Sequence, residues 1–428
     1  MLAVDLKEAL TAEQPFEQMV SELVSQFKEL WWNCAAGLPP LGPTYDLKEK
    51  KAREAGLAGS LEQLGQELQR VAREHLDQAA LQQRLFAPAG KILQTSFGLE
   101  EQQVAALTNY GFTEALAEFA RQARRFDPGI SAADIYQAGR NAWSMNLLQY
   151  LLGLPVEVTP AVLAYSLLYP YSDNYLDDPA LPDEEKAAFS RAFERRLEGL
   201  PVPPANPARQ KIFDLVGMIE GQFDRRLYPE VYASLMAIWR AQTKSLRLQL
   251  PDVSPYEVDV LGLVFEKGGT SVLADAYLVA GCLTPFQREF SFYYGAFTQL
   301  MDDLEDVQQD RRDGIMTLFS QTAGRWPLDA LTSRAILFGN GLLDAMACFQ
   351  VDGLETLEQV MRMCITPLMI DSASQVGQLY SRGYLAELER HSPYRFAQLK
   401  QIRRKVSRRF SSEELLQTLL LSNGLSAQ

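Results

Sequence analysis

The sequence predicts an all-α fold, a large helical bundle around one cavity, and three observations predict it. Apolar residues recur at helical spacing, as in Ile212, Phe213, Val216, Ile219 and Phe223. Clusters of Pro and Gly punctuate the chain at intervals that leave room for helices of the 20-residue class. Alternating apolar–polar runs flanked by hairpin turns are not evident. With 428 residues, 47% of them apolar, the chain can bury a substantial core, and 22% charged is ordinary for a globular protein.

Taken in order, a helical pattern over about residues 5–32 ends at the breaker run Gly37 to Pro43, and two more follow at about 46–58 and 61–85. Residues 1–95 are expected to form a helical extension packing on the main domain, residues 96–428. In the latter, helices are predicted at about 100–110, 112–124, 132–152, 160–178 and 183–197. Beyond the connector Gly199 to Pro207 they follow at about 211–223, 230–250, 256–281, 285–310, 327–349, 354–379, 393–409 and 413–421.

Composition excludes several function classes. A formal charge of −13 argues against nucleic acid, which needs a basic footprint. No apolar run reaches the roughly 18 residues of a membrane span. The start of the chain shows no basic region followed by an apolar one, so no signal peptide is expected and the protein is expected in the cytoplasm. Cys34, Cys282, Cys348 and Cys364 lie far apart, as in a reduced cytosolic protein. His75 and His391 are the only histidines, too few for a His-rich zinc site. Ala72 and Leu388 stand where a di-iron ExxH pair would need Glu.

Two stretches break the pattern of stability. In the run Gln299 to Gly314, a single helix would stack Asp302, Asp306 and Asp310 within about 80° of arc, each roughly 6 Å above the last. Like charges at i, i+4 destabilise a bare helix, so such a stripe suggests a cation, and oxygen-only ligands select hard ions such as Mg²⁺. Asp173 and Asp177 share a second helical face 129 residues earlier, with Asp178 added before Pro179 stops the helix. Both clusters sit at helix C-termini, where the macrodipole repels carboxylates.

The stretches Asp173–Asp178 (DNYLDD) and Asp302–Asp310 (DDLEDVQQD) resemble the two aspartate-rich motifs of class I isoprenoid synthases. Asp302 to Asp306 with Glu305 is similar to the DxxED of squalene and phytoene synthases, and Gln299 to Asp303 to the FQxxDD run of prenyltransferases. Together, DxxxDD and DDxxDxxxD most resemble the bacterial large terpene synthases, over roughly residues 135–318. A plain DDxxD is missing at the first site and an NSE triad at the second.

The resemblance implies a class I isoprenoid synthase bundle in which three Mg²⁺ ions bridge the two clusters to a prenyl diphosphate. It implies Asp173, Asp177, Asp178, Asp302, Asp303, Asp306 and Asp310 as metal ligands, with Asp173, Asp177, Asp302 and Asp306 catalytic. Lys267, before the double glycine Gly268-Gly269 where a helix can break, is the first candidate for the anion. Arg311, Arg240 and Gln242 are further candidates, and aromatic faces such as Tyr169 and Phe297 could line the pocket by cation–π attraction. The expected activity is a terpene synthase, a lyase acting on one prenyl diphosphate. The alternatives are a prenyl-coupling enzyme, chain-elongating or squalene/phytoene-like, and a non-catalytic helical partner subunit. Six basic residues in Lys400–Arg409 either form a solvated face or meet a membrane carrying a lipid product. Oligomeric state stays open, with a homodimer among the alternatives.

Overall fold

The structure, a computed structural model, describes residues 15–71, 90–95, 98–104, 110–178, 180–250 and 252–409. Its regular elements are helical, and one isolated bridge joins Ala323 to Trp326. We label α1 (Phe16–Asn33), α2 (Leu47–Val71), α3 (Phe112–Phe126), α4 (Ala132–Leu151), α5 (Pro160–Asp177), α6 (Asp183–Leu197), α7 (Pro207–Gln222) and α8 (Pro229–Ser245). These are followed by α9 (Val260–Ala280), α10 (Pro285–Glu305), α11 (Val307–Asp313), α12 (Leu318–Thr322), α13 (Asp329–Met346), α14 (Leu354–Gln375), α15 (Arg382–His391) and α16 (Phe396–Arg409). No helix among the described residues is long and apolar enough to cross a membrane.

Local chemistry sets the starts of these helices. Ser131, Thr159, Asn206 and Thr284 each accept a backbone N–H of the first turn, and Pro160, Pro207 and Pro285 occupy first-turn positions that need no donor. Asp259 caps α9 by accepting from Gly262, which begins that helix four residues later than its apolar pattern suggests.

α9 is the axis of the bundle. It is apolar on nearly every side and buried along most of its length, as a helix surrounded by others must be. Its most extensive partner is α10, then α8, with α1, α4 and α5 closing the ring. The N-terminal α1 belongs to this core: Phe27 stacks on Phe292 and meets Tyr293, and Trp31 packs edge-on against Phe338. α2 packs on α16.

Several expectations are corrected. Residues 47–71 form one helix rather than two, because Gly59 lies in open space and one helical glycine costs only about 1 kcal/mol. Gly268 and Gly269 do not break α9. Instead, a Cβ on Gly268 would overlap the Gly295 carbonyl, and one on Gly295 would overlap the Gly268 carbonyl, so the glycines are where α9 and α10 touch backbone to backbone. The helix predicted over 285–310 ends at Glu305, with Asp306 (φ −89°, ψ 6°) between α10 and α11. α12 and α15 have no counterpart among the predicted helices. The expected helices over 5–14, 72–85, 105–109 and 413–421 lie outside the described residues.

Candidate acidic site at the ends of α5 and α10

α5 carries an internal proline one turn before Asp173. Pro170 has no N–H for the carbonyl four residues back, and the Ser172 hydroxyl donates to the carbonyl of Leu168 at 2.7 Å. The turn bearing Asp173 is pinned on its other faces. Tyr171 donates to Asp127 Oδ2 at 2.5 Å, and Asn174 donates to Asp134 at 3.0 Å. The Tyr175 hydroxyl contacts Glu185 at 3.1 Å and accepts from Arg209 at 2.9 Å. These contacts fix the rotation of α5 and leave Asp173, half-buried, beside Tyr169.

Tyr169 is the residue on which the two acidic stretches meet. It donates to Asp173 and feels the negative charge of both Asp173 and Asp302. Burial first, then those two carboxylates, push its hydroxyl up to about 12, while Arg140 on α4 acts in the opposite sense. Tyr169 is 46% exposed and Asp302 is exposed as well, so both stay accessible at the end of the bundle although protein crowds their inner sides.

On the α10 side, burial raises the Asp302 carboxyl, and Asp306 and Glu305 raise it further, against Arg140 and Lys267. Asp303 is only 5% exposed and accepts from Gln299 at 3.0 Å; burial and the charge of Asp310 hold it at about 7. Asp310, on α11, stands at about 6 through burial and the charges of Asp306 and Asp313. The positive charge of Lys267 acts on Asp302, Asp303 and Asp310, against the effect of burial. It adjoins the glycine contact, which brings α9 against α10 one residue beyond it. Backbone bonds from Asp306 to the Asp302 carbonyl (2.8 Å) and from Asp310 to that of Asp306 (2.9 Å) carry the acidic run across the break in the helix.

The other residues anticipated for the site have surroundings of their own. Asp178 accepts from Ala180 at 2.8 Å in the turn after α5, and the Asp177 side chain lies outside the described residues. Arg240 pairs with Glu17 on α1, and Gln242 on the same helix is half-buried. The Arg311 guanidinium lies against Gly324, and Phe297 is buried beneath Gly339 in the core. Sequence reasoning missed Arg140. Its signal is a cation in the middle of α4, whose neighbours Ala138, Gly139 and Ala142 are buried. A separate cavity of about 320 Å³ lies near the start of α10, lined by Leu151, Phe286, Phe349 and uncharged neighbours.

Carboxylates outnumber the cations near them, and that imbalance can be relieved by protons or by a metal ion. The donors are all oxygen, the set suited to Mg²⁺. Among the described residues, no group of three or more His, Cys, Asp or Glu side chains is placed to hold a metal ion by itself. Mg²⁺ does not need such a group, because it binds through one or two carboxylates and completes its shell with water and phosphate oxygens.

A stability test follows from the burial of Asp303. An unfolded aspartate loses its proton near pH 4, whereas the folded one keeps it to about 7. The folded chain therefore holds more protons between those values, and stability falls as pH rises through that window, by up to about 4 kcal/mol from this group. In EDTA, Asp303→Asn should melt above the parent protein at pH 8 and alongside it at pH 5. A variant melting below the parent at both pH values would contradict this account.

No protein-family model matches the chain, and no curated protein matches it.

Proposed function

We propose that this protein is a Mg²⁺-dependent class I terpene synthase, with the helical bundle of that superfamily, acting on a linear prenyl diphosphate. The observation that carries the reading is the meeting of two acidic helix ends, 129 residues apart in sequence, around Tyr169. Lys267 and Arg140 are the cations that act on this group. The pairing of an acidic rim with an apolar helical interior suits a substrate with a diphosphate head and a hydrocarbon tail.

Asp173, Asp302 and Asp306 are the residues that would hold the metal, with Asp310 behind them. When bound, Mg²⁺ offsets the charge of the diphosphate and weakens its bond to carbon. The chain's own residues do the rest. Lys267 and Arg140 attract the phosphate oxygens and orient the head group at the rim. Tyr169 holds Asp173 in place through its hydroxyl and offers its ring to the allylic carbon. The core helices below keep water from the cation left when the C–O bond breaks with its electron pair on diphosphate.

The test is to incubate the purified protein with Mg²⁺ and each of the C10 to C35 prenyl diphosphates, singly and with isopentenyl diphosphate. A hydrocarbon or alcohol plus diphosphate from a single substrate is the expected result. Longer diphosphates formed only with isopentenyl diphosphate would make it a chain-elongating enzyme, and no turnover of any substrate would remove the catalytic reading.

A further inference from the structure

A second polar layer lies inside the bundle, below the acidic rim. Tyr165, Asp275 and Tyr294 each stand eight residues from a rim residue on the same helix, namely Asp173, Lys267 and Asp302. At the helical rise this sets them about 12 Å deeper. All three helices point the offset the same way, because α9 runs inward from the rim while α5 and α10 run towards it.

Asp275 is 1% exposed. Asn141 on α4 donates to its Oδ1 at 3.1 Å, and the same amide reaches the Ser166 hydroxyl on α5 at 3.2 Å. The other carboxyl oxygen has no hydrogen-bond partner among the described residues. Tyr165 and Tyr294 both feel the charge of Asp275, and their hydroxyls bond to Ser271 and Ser144. Both rings are only partly buried, so each keeps accessible surface at this layer.

A carboxylate that merely ties helices together has its oxygens satisfied. Asp127 is of that kind: Lys211, Tyr171 and the backbone of Gly129 all donate to it, and its carboxyl is held below the usual range. Asp275 is more buried and has one donor. We infer that Asp275 is a catalytic residue of the reaction proposed above, the base that takes the proton from the carbocation and fixes where the last double bond forms.

The step balances without a co-reactant. Once diphosphate has left, a C–H bond next to the cationic carbon breaks, and its electron pair becomes the second bond of the alkene. The proton lands on the free oxygen of Asp275, which becomes a neutral acid and later returns the proton to solvent. Burial moves the Asp275 carboxyl well above the usual carboxylate range, the direction that makes a general base effective at working pH. The titratable groups facing it are Tyr165 from α5 and Tyr294 from α10; among the described residues, α1, α4 and α8 place no charged group against it. Tyr165 and Tyr294 add aromatic faces beside the cation's path.

The inference rests on the terpene synthase reading, and the experiment separates the two. Full-length protein and Asp275→Asn are incubated with Mg²⁺ and the prenyl diphosphates of the screen, with diphosphate release and product composition followed in parallel. Asp275→Asn should still release diphosphate, but its olefin-to-alcohol ratio should fall at least tenfold as water captures the unquenched cation. In the parent protein that ratio should rise with pH as Asp275 ionises. In the variant it should be flat. Unchanged products and an unchanged pH response in Asp275→Asn would overturn the role of Asp275 while leaving the function intact. If the variant loses its helical signal, the parent's pH series decides by itself, and a flat ratio there overturns the inference. Absence of diphosphate release from the parent with every substrate would overturn both readings.

Discussion

Asp302→Asn should lower turnover of a prenyl diphosphate by at least 10²- to 10³-fold, a loss of about 3–4 kcal/mol of transition-state stabilisation. Asp173→Asn should do the same. Both residues bear on Tyr169. An amide keeps the size of the side chain and removes the charge that a cation would need. The fold should survive, because burial and its acidic neighbours already disfavour the charge on Asp302. Helical content should be unchanged and the melting temperature equal or higher. Near-normal turnover in either variant would remove that residue from the metal site. A collapse of helicity would show that the carboxylate serves the fold.

Gly295→Ala should cost at least about 3 kcal/mol of stability and lower the melting temperature by several degrees. One methyl group rarely has such an effect. Here it would meet the carbonyl of Gly268, and backbone cannot swing aside as a flexible side chain can. Gly268→Ala should behave alike, since its Cβ would meet the Gly295 carbonyl. Activity should fall along with stability, because the contact adjoins Lys267, whose charge acts on Asp302, Asp303 and Asp310. Gly221→Ala on α7 is the control: nothing stands within 4 Å of its Cβ position, and removing a helical glycine there should gain about 0.5–1 kcal/mol. Equal melting temperatures for Gly295→Ala and the parent would refute the backbone-contact account.

Helix existence was largely legible in the sequence, since it rests on apolar spacing and on caps a few residues away. Thr284, Pro285 and Gln287 announce the start of α10 without any tertiary contact. Errors came where a local signal has two physical meanings. A glycine pair inside a helical pattern can mark a break or a close approach, and only the partner helix distinguishes them. At Gly268 the partner is Gly295. A run of aspartates can continue a helix or interrupt it, and here the chain departs from helical ψ at Asp306.

The candidate site divides along the same line. Aspartates misplaced against the helix dipole were visible as residues, because charge and dipole are local. Their meeting was not, because Asp173 and Asp302 are brought together by the packing of α5, α9 and α10. Arg140 and Asp275 carried no motif and became visible through what surrounds them. Conversely, Arg240 and Phe297 had suitable chemistry in the sequence, and packing turned one towards Glu17 and the other under Gly339.

By itself, then, the sequence determined the all-α class, the helix starts and the two acidic segments, all consequences of interactions within a few residues along the chain. The tertiary structure alone decided which carboxylates and cations act on one another and which acid is buried in the core. Those outcomes depend on close approach between distant helices and on the removal of water, and neither has a signature at short range.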